Sequence, residues 1–347
     1  MRRALILLVL AALALAGCGQ TTTLPEQDLV VRGSDAAPAN PAPQETPQRG
    51  RGLRIAAARI AVVSHGQASD SFWAIVKKGV FDAGRRNSVA VSYRAPETYD
   101  IDRMRRLIDE AINARLDGLV VSLPDVDGLA PAIRRAVKAG IPVVSINSGS
   151  DRFRELGILA HVGQPEYRAG IEAGARMARN GVRHLLCVNQ EVGNAGLDER
   201  CRGIAAAMHR VGGSSRELGV DLQNPAQSQR RIAQAVTEGG IDGILTLGPN
   251  GAGPALAAVS ASGLRGRIEL ATFDLSPEVL QAVRAKRLLF AVDQQPYLQG
   301  YLPIALLAER ARHLLMPARG ELIPTGPQFV TPANAARVLA LSRRGFR

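Results

Sequence analysis

From Ile55 onward, short apolar runs alternate with amphipathic stretches. Ile60-Ala-Val-Val63 is continuously apolar, the pattern of a strand covered on both faces. Residues 70–86 follow with Phe72, Ile75, Val76, Gly79, Val80 and Ala83 at helical spacing. The alternation continues with strands predicted over 89–93, 118–123 and 142–147, and helices over 100–114 and 126–139. A second series begins with a helix over 167–180 and a strand over 184–189, then a helix over 197–211 and another over 227–238. It goes on with strands over 243–248, 268–273 and 290–294, and helices over 254–262, 277–286 and 297–315. Strand and helix in strict alternation give parallel sheets with helices on both faces. Two such series predict an α/β chain of two doubly wound, Rossmann-like lobes.

The chain before Ile55 has a different pattern. Arg2 and Arg3 precede an apolar stretch from Leu5 to Leu15, too short to span a bilayer as a stable helix. It ends in Leu15-Ala16-Gly17-Cys18, which resembles the bacterial lipoprotein signal, cut before a cysteine that is then lipidated. Residues 1–17 are therefore expected to be a signal peptide and Cys18 a lipid anchor. Residues 19–54 carry five prolines among Thr, Gln, Ala and Asn, with no helical or strand period, and 18–54 is expected to act as anchor and extended tether. No later stretch reaches 18 continuous apolar residues, so no transmembrane helix is predicted.

The formal charge of +12 would suit a nucleic-acid partner, but the basic residues are scattered, with no run longer than a pair. An exported chain also meets no genome, so no nucleic-acid partner is expected. Three cysteines without a CxxC pair exclude both a disulfide-dense scaffold and a zinc ribbon. Cys187 falls near a strand end and Cys201 in the first turns of the next helix, placed for a disulfide that an exported protein permits. The alternative is two buried free thiols. No GxSxG, P-loop or HExxH motif occurs, and the five histidines are widely spaced. No catalytic residue, metal site or cofactor is predicted; the chain is not expected to be an enzyme. His161 and His184 are expected to be structural.

In a doubly wound architecture ligands bind beyond the carboxyl ends of the strands. Those positions hold Ser64-His65-Gly66, Pro124-Asp125, Asn147-Ser148, Asn189-Gln190-Glu191, Gly248-Pro249-Asn250, Asp274 and Asp293-Gln294-Gln295. The set is rich in Asn, Asp and Gln, which match the hydroxyls of a neutral polyol. Asp70 lies beside them as either a ligand acceptor or the N-cap of its helix. Phe72 and Trp73, the latter the only Trp of the chain, offer aromatic faces for the C–H face of a sugar ring.

At this point the residues resemble a family. Ala-Val-Val-Ser at 61–64, Asp-Ser-Phe-Trp at 70–73, Asp-Gly-Leu-Val-Val-Ser at 117–122, Gly-Ile-Pro-Val-Val at 140–144, Ala-Thr-Phe-Asp at 271–274 and Asp-Gln-Gln-Pro at 293–296 are similar, in order and spacing, to the ribose-binding-protein-like (type I) periplasmic binding proteins. These are the solute receptors of sugar ABC importers. The resemblance spans about 55–341 and implies two lobes joined by three crossings, with a sugar in the cleft. The lobe boundaries it implies are 55–162 plus 295–324, and 163–294 plus 325–341.

The ligand set it implies is Asp70, Phe72, Trp73, Asn147, Asp198, Asn250, Asp274 and Gln294; Asn194, in the stretch that follows the strand over 184–189, and His65 are further candidates. Asn147 stands where many members have Asp, and Ser148 where an Arg often follows. Asp198 aligns with a cleft Arg, Arg200 with a neighbouring structural Arg, and Gly248 with an Asn that Asn250 replaces. Gln294 matches the Gln at the third crossing. The implied protein is a monomeric, membrane-anchored lipoprotein of the periplasm or outer face of the cytoplasmic membrane. Its implied partners are a small carbohydrate or polyol and an ABC permease. A receptor that hands the same ligand signal to a membrane kinase or chemoreceptor has the same sequence features.

Overall fold

The computed structural model describes residues 57–66, 70–97, 99–221, 224–317 and 319–347. The signal segment, Cys18 and the tether lie outside the described residues. Strand β1 (Arg59–Val63) is buried at every residue after the first, as its unbroken apolar run requires. Its side chains divide by parity. Ala61 and Val63 enter one core with Met104, Ile108, Leu129 and Ile133; Ile60 and Val62 enter another with Val76, Val80, Ile304 and Leu307. The sheet is thus covered on both faces.

The first series runs α1 (Ser71–Arg86), β2 (Ala90–Arg94), α2 (Ile101–Asn113), β3 (Gly118–Ser122), α3 (Val126–Lys138), β4 (Val143–Ile146) and β5 (Ala160–Gly163). The second runs α4 (Glu166–Arg179), β6 (His184–Asn189), α5 (Ala195–Arg210), β7 (Ser214–Gly219), α6 (Pro225–Glu238), β8 (Gly243–Thr246), α7 (Pro249–Ala261), β9 (Glu269–Phe273), α8 (Pro277–Arg284) and β10 (Ala291–Asp293). The chain ends with α9 (Pro296–His313), β11 (Glu321–Pro324), β12 (Gln328–Val330) and α10 (Ala335–Ser342).

Two six-stranded sheets result, in the orders β11-β5-β4-β3-β1-β2 and β12-β10-β9-β8-β6-β7. Every neighbouring pair is parallel except β10 with β12. Laid over each other, the orders match β1 to β6, β3 to β8 and β4 to β9. The chain passes between sheets three times: after β5, between β10 and α9, and between β11 and β12. Helix α9 packs on α1 in the first lobe and α10 on α8 in the second.

Two helix pairs touch backbone to backbone through glycine. A Cβ on Gly79 would lie 2.2 Å from the Tyr297 carbonyl oxygen, joining α1 to α9, and one on Gly170 would lie 2.2 Å from the Arg200 carbonyl oxygen, joining α4 to α5. The expected disulfide is present: Cys187 of β6 is bonded to Cys201 of α5.

Several elements differ from expectation. Helix α7 begins at Pro249, not Pro254, because proline at the first helical position lacks only an N–H that would be unpaired there. β5 has the buried His161 inside its run, and β7, Ser-Ser-Arg-Glu-Leu-Gly, is a polar edge strand. Neither shows an apolar run. β11, β12 and α10 are short and depend on the lobe each returns to.

Candidate functional site

The two sheets point their carboxyl ends at one cleft, where a small pocket lies between the lobes. The first lobe contributes His65, Asp70, Phe72, Trp73 and Asn147; the second contributes Gln190, Glu191, Leu197, Arg200, Leu247, Gly248, Pro249, Asn250, Asp274 and Gln294.

Asn147 follows β4 and Asp274 follows β9, the equivalent strands of the two sheets. Both hold left-handed backbones, with φ of 63° and 60°. Asn and Asp tolerate that region better than other side chains, and there it turns a residue out of the strand line at the cleft. Gln294 joins them: its Nε2 donates to Asp274 Oδ1 at 2.7 Å, and its Oε1 accepts from Asn147 Nδ2 at 3.5 Å. Gln299 Nε2 fixes Gln294 by donating to the same Oε1 at 2.8 Å.

Asp70 is both things the sequence allowed. Its Oδ1 accepts from the Phe72 amide at 2.8 Å, capping α1, and the carboxylate lines the pocket. The Trp73 indole meets the His65 ring edge-on at 4.8 Å and the Phe72 ring edge-on at 5.2 Å. It lies against Gly66, where a Cβ would come within 2.0 Å of Trp73 Cγ. Both aromatics therefore line the cleft and also belong to the core under α1.

Burial controls the charges. Desolvation lowers the His65 pKa to about 3, so the ring is neutral. Its Nε2 then accepts from Asn194 Nδ2 at 3.2 Å, which leaves the proton on Nδ1, donated to Ser122 Oγ at 2.8 Å. Desolvation pushes Asp274 up to about 7, against the pull of Arg200 and the Gln294 hydrogen bond. Asp70 and Glu191 are raised for the same reason. Arg200 lies under the pocket, 2% exposed, with Nε and Nη2 on Glu166 and Nη1 on the Leu247 carbonyl at 3.2 Å. Its Nη1 is 3.8 Å from Asp274 Oδ2.

The lobes touch around the cleft. Ser148 Oγ donates to Asn194 Oδ1 at 2.9 Å, and the Ala195 amide donates to the Pro124 carbonyl at 2.8 Å. Among the described residues no group of three or more His, Cys, Asp or Glu is arranged for a metal ion, and no helix is long and apolar enough to cross a membrane.

The model of the periplasmic binding protein domain matches residues 60–313. The chain belongs to the periplasmic binding protein family. Its fold is the type I form, as the residues at 61–64, 70–73 and 293–296 led us to expect. A solved carbohydrate transporter from Acidothermus cellulolyticus 11B, in complex with myo-inositol, is 36% identical with a TM-score of 0.79, covering 84% of this chain and all of that one. The xylose/arabinose-binding protein XylF of Sulfolobus acidocaldarius is 25% identical over 311 residues, 82% of this chain and 74% of that protein. A solute-binding protein from Burkholderia graminis in complex with D-arabinose shares the fold at 21% identity and TM-score 0.72, over 80% of this chain and 96% of that one.

In this periplasmic binding protein, eight of the ten predicted ligand residues line one pocket: His65, Asp70, Phe72, Trp73, Asn147, Asn250, Asp274 and Gln294. Two do not. Asn194 has both amide hydrogens and its carbonyl engaged, with His65, Glu191, Ser148 and the Gly196 amide; it caps α5 and ties the lobes together. Asp198 accepts from Asn189 Nδ2 at 3.0 Å and from the Gly193 amide, bracing the loop between β6 and α5. Gln294 stands at the second crossing in chain order, not the third. Arg200, expected to be structural, both holds Glu166 and lines the pocket. Gln190 and Glu191, which stand among the strand-end positions but outside the implied ligand set, also line the wall directly after β6.

Proposed function

We propose that this chain is an extracytoplasmic receptor that captures a small neutral sugar or polyol between its lobes and delivers it to an ABC importer. The observation that carries this reading is the shared pocket, in which an aromatic wall from one lobe faces Asp274, Asn250 and Gln190 from the other. The myo-inositol held by the Acidothermus relative and the pentoses named for the Sulfolobus relative support it. In this reading Asp70, Asn147 and Asp274 accept from hydroxyls, and Trp73 or Phe72 packs against the ring. The ligand favours the state in which the lobes meet, and the permease reads that state. Asn194 serves closure instead of ligand contact, since its partners lie on both lobes. Cys18 holds the receptor at the membrane surface through its lipid, a role supported by the Leu-Ala-Gly-Cys sequence at 15–18.

Calorimetry with myo-inositol, D-xylose, arabinose, D-ribose and D-fructose tests the function, with a thermal-shift screen of wider polyols behind it. Saturable one-to-one binding of at least one member is expected. A screen in which none binds overturns the reading. The anchor is tested separately: Cys18→Ala should move the exported protein from the detergent phase to the aqueous phase.

A further inference from the structure

The charge balance of the cleft favours more than a neutral ligand. Three carboxyl groups line it, Asp70 from one lobe and Glu191 and Asp274 from the other, against one guanidinium, Arg200. Burial pushes Asp274 up to about 7 and Arg200 Nη1 stands 3.8 Å from it, so the negative charge in surplus rests on Asp70 and Glu191. Arg200 is already matched by Glu166 through two hydrogen bonds behind the wall. His65, the remaining basic side chain on the wall, is buried and neutral. Ser148 and Asp198, at positions where the resemblance has arginines, add no positive charge.

Hydrogen-bonding capacity leans the same way. Among the described residues, Asn194 is the only side-chain donor that bonds to Glu191, and none bonds to Asp70. Gln190 Oε1, buried on the same wall, has no hydrogen-bond partner among the described residues. The pocket thus offers acceptors and negative charge in surplus. Asp70 and Glu191 come from opposite lobes, and the Asp70 charge is one of the factors raising Glu191. Closing the lobes brings these like charges together. A hydroxyl donates one hydrogen bond and carries no charge, whereas a protonated amine donates three and supplies the missing positive charge.

Resting on the polyol reading above, we infer that the cleft prefers a ring polyol in which one hydroxyl is replaced by a protonated amine, held between Asp70 and Glu191. The ammonium is then a bridge between lobes, so recognition of the charge and closure are one event. A carboxylate or phosphate at the same place on the ring meets the like charges of Asp70 and Glu191 and is rejected.

The test is calorimetry at pH 7 on the whole protein with matched sets: myo-inositol and its monoamino-monodeoxy analogues, D-glucose with D-glucosamine and D-glucuronate, and D-galactose with D-galactosamine and D-galacturonate. In at least one set the amine should bind at least tenfold more tightly than its neutral parent, and neither uronate should bind. Glu191→Gln and Asp70→Asn should each reduce that preference at least tenfold, with the neutral parent affected less. Neutral parents that equal or exceed their amines in every set overturn the inference and leave the polyol reading standing. A uronate that binds as well as its parent, or an amine preference that survives both substitutions, also overturns it. If neither neutral nor amino polyols bind, the polyol reading itself fails.

Discussion

Arg200 grips Glu166 with two hydrogen bonds, Nε to Oε2 at 2.6 Å and Nη2 to Oε1 at 3.0 Å, where both side chains are at most 2% exposed. Glu166 opens α4 directly after the first crossing, and Arg200 lies on α5 beneath the pocket. The pair therefore fixes the floor of the cleft to the start of the second lobe. Glu166→Gln leaves the guanidinium short of a counter-charge and should destabilise the protein by about 3–5 kcal/mol, since breaking a buried pair strands the remaining charge. Urea unfolding of the single variants and of Glu166→Gln with Arg200→Gln checks this. The double variant should lose less than the two single losses added together.

The origin of this pair shows what the sequence could tell and what it could not. The alternation from Ile60 to Phe273 made the two lobes legible, because strands buried on both faces write continuous apolar runs. Strand-end positions made most of the pocket legible, because a doubly wound sheet points them at the cleft. Glu166 and Arg200 were not readable as partners: a charge that is buried and paired looks like a surface charge in one dimension. Asn194 failed for a related reason. Its position after β6 was right, but only three dimensions show Ser148, His65 and Glu191 consuming its hydrogen bonds.

Asp274 gives a pH-dependent prediction. Burial raises its pKa from 3.8 to about 7 in the folded protein. The folded state therefore holds a proton between these values that the unfolded chain has released, so this group's contribution is full below 3.8 and is lost as pH rises through 7. The loss runs at about 1.4 kcal/mol per pH unit across that window. Asp274→Asn removes the dependence. The variant should gain stability relative to the unsubstituted protein as pH rises from 5 to 8, seen by denaturant melts at each pH. Asp274→Ala should weaken polyol binding by about 1 kcal/mol or more in calorimetry, because a hydroxyl loses its acceptor.

The Cys187–Cys201 bond has a purely energetic role. It ties β6 to α5 across a sequence separation of 14, and neither sulfur lines the pocket. In the chain-entropy account a loop of this size contributes about 3 kcal/mol. Cys187→Ala with Cys201→Ala should lower stability by about that amount and leave ligand affinity within twofold. Unfolding melts and calorimetry on the double variant separate the two effects.

Arg347 reaches back to the second crossing. Its guanidinium donates to Asp293 Oδ2, and Asp293, 1% exposed at the end of β10, also accepts from the Gln295 amide at 2.7 Å. Burial raises the Asp293 pKa, and Arg347 pulls it back. Arg347→Ala removes that counter-charge, so Asp293 should titrate higher still and the protein should lose about 1–3 kcal/mol at pH 8. Below the raised pKa the carboxyl is neutral and needs no counter-charge. Melts of the variant and the unsubstituted protein should therefore converge as the pH is lowered through that raised pKa.

Two glycines on neighbouring helices separate folding from closure. A Cβ on Gly170 would lie 2.2 Å from the Arg200 carbonyl oxygen, within the second lobe, while one on Gly196 would lie 2.9 Å from Ser148 Oγ, across the cleft. The first contact exists whenever the lobe is folded. The second exists only when the lobes meet. Gly170→Ala should force α4 and α5 apart and cost about 1–3 kcal/mol of stability, the range for overpacking. Gly196→Ala should leave the unliganded protein as stable as before, because the open state has room for the methyl group. Its cost should fall on closure, as a loss of ligand affinity of about tenfold, equivalent to about 1.4 kcal/mol. Thermal melts without ligand, followed by calorimetry on both variants, check this. Equal losses of stability in the two variants would show that the cleft contact is present in the free protein, and closure would then need no ligand.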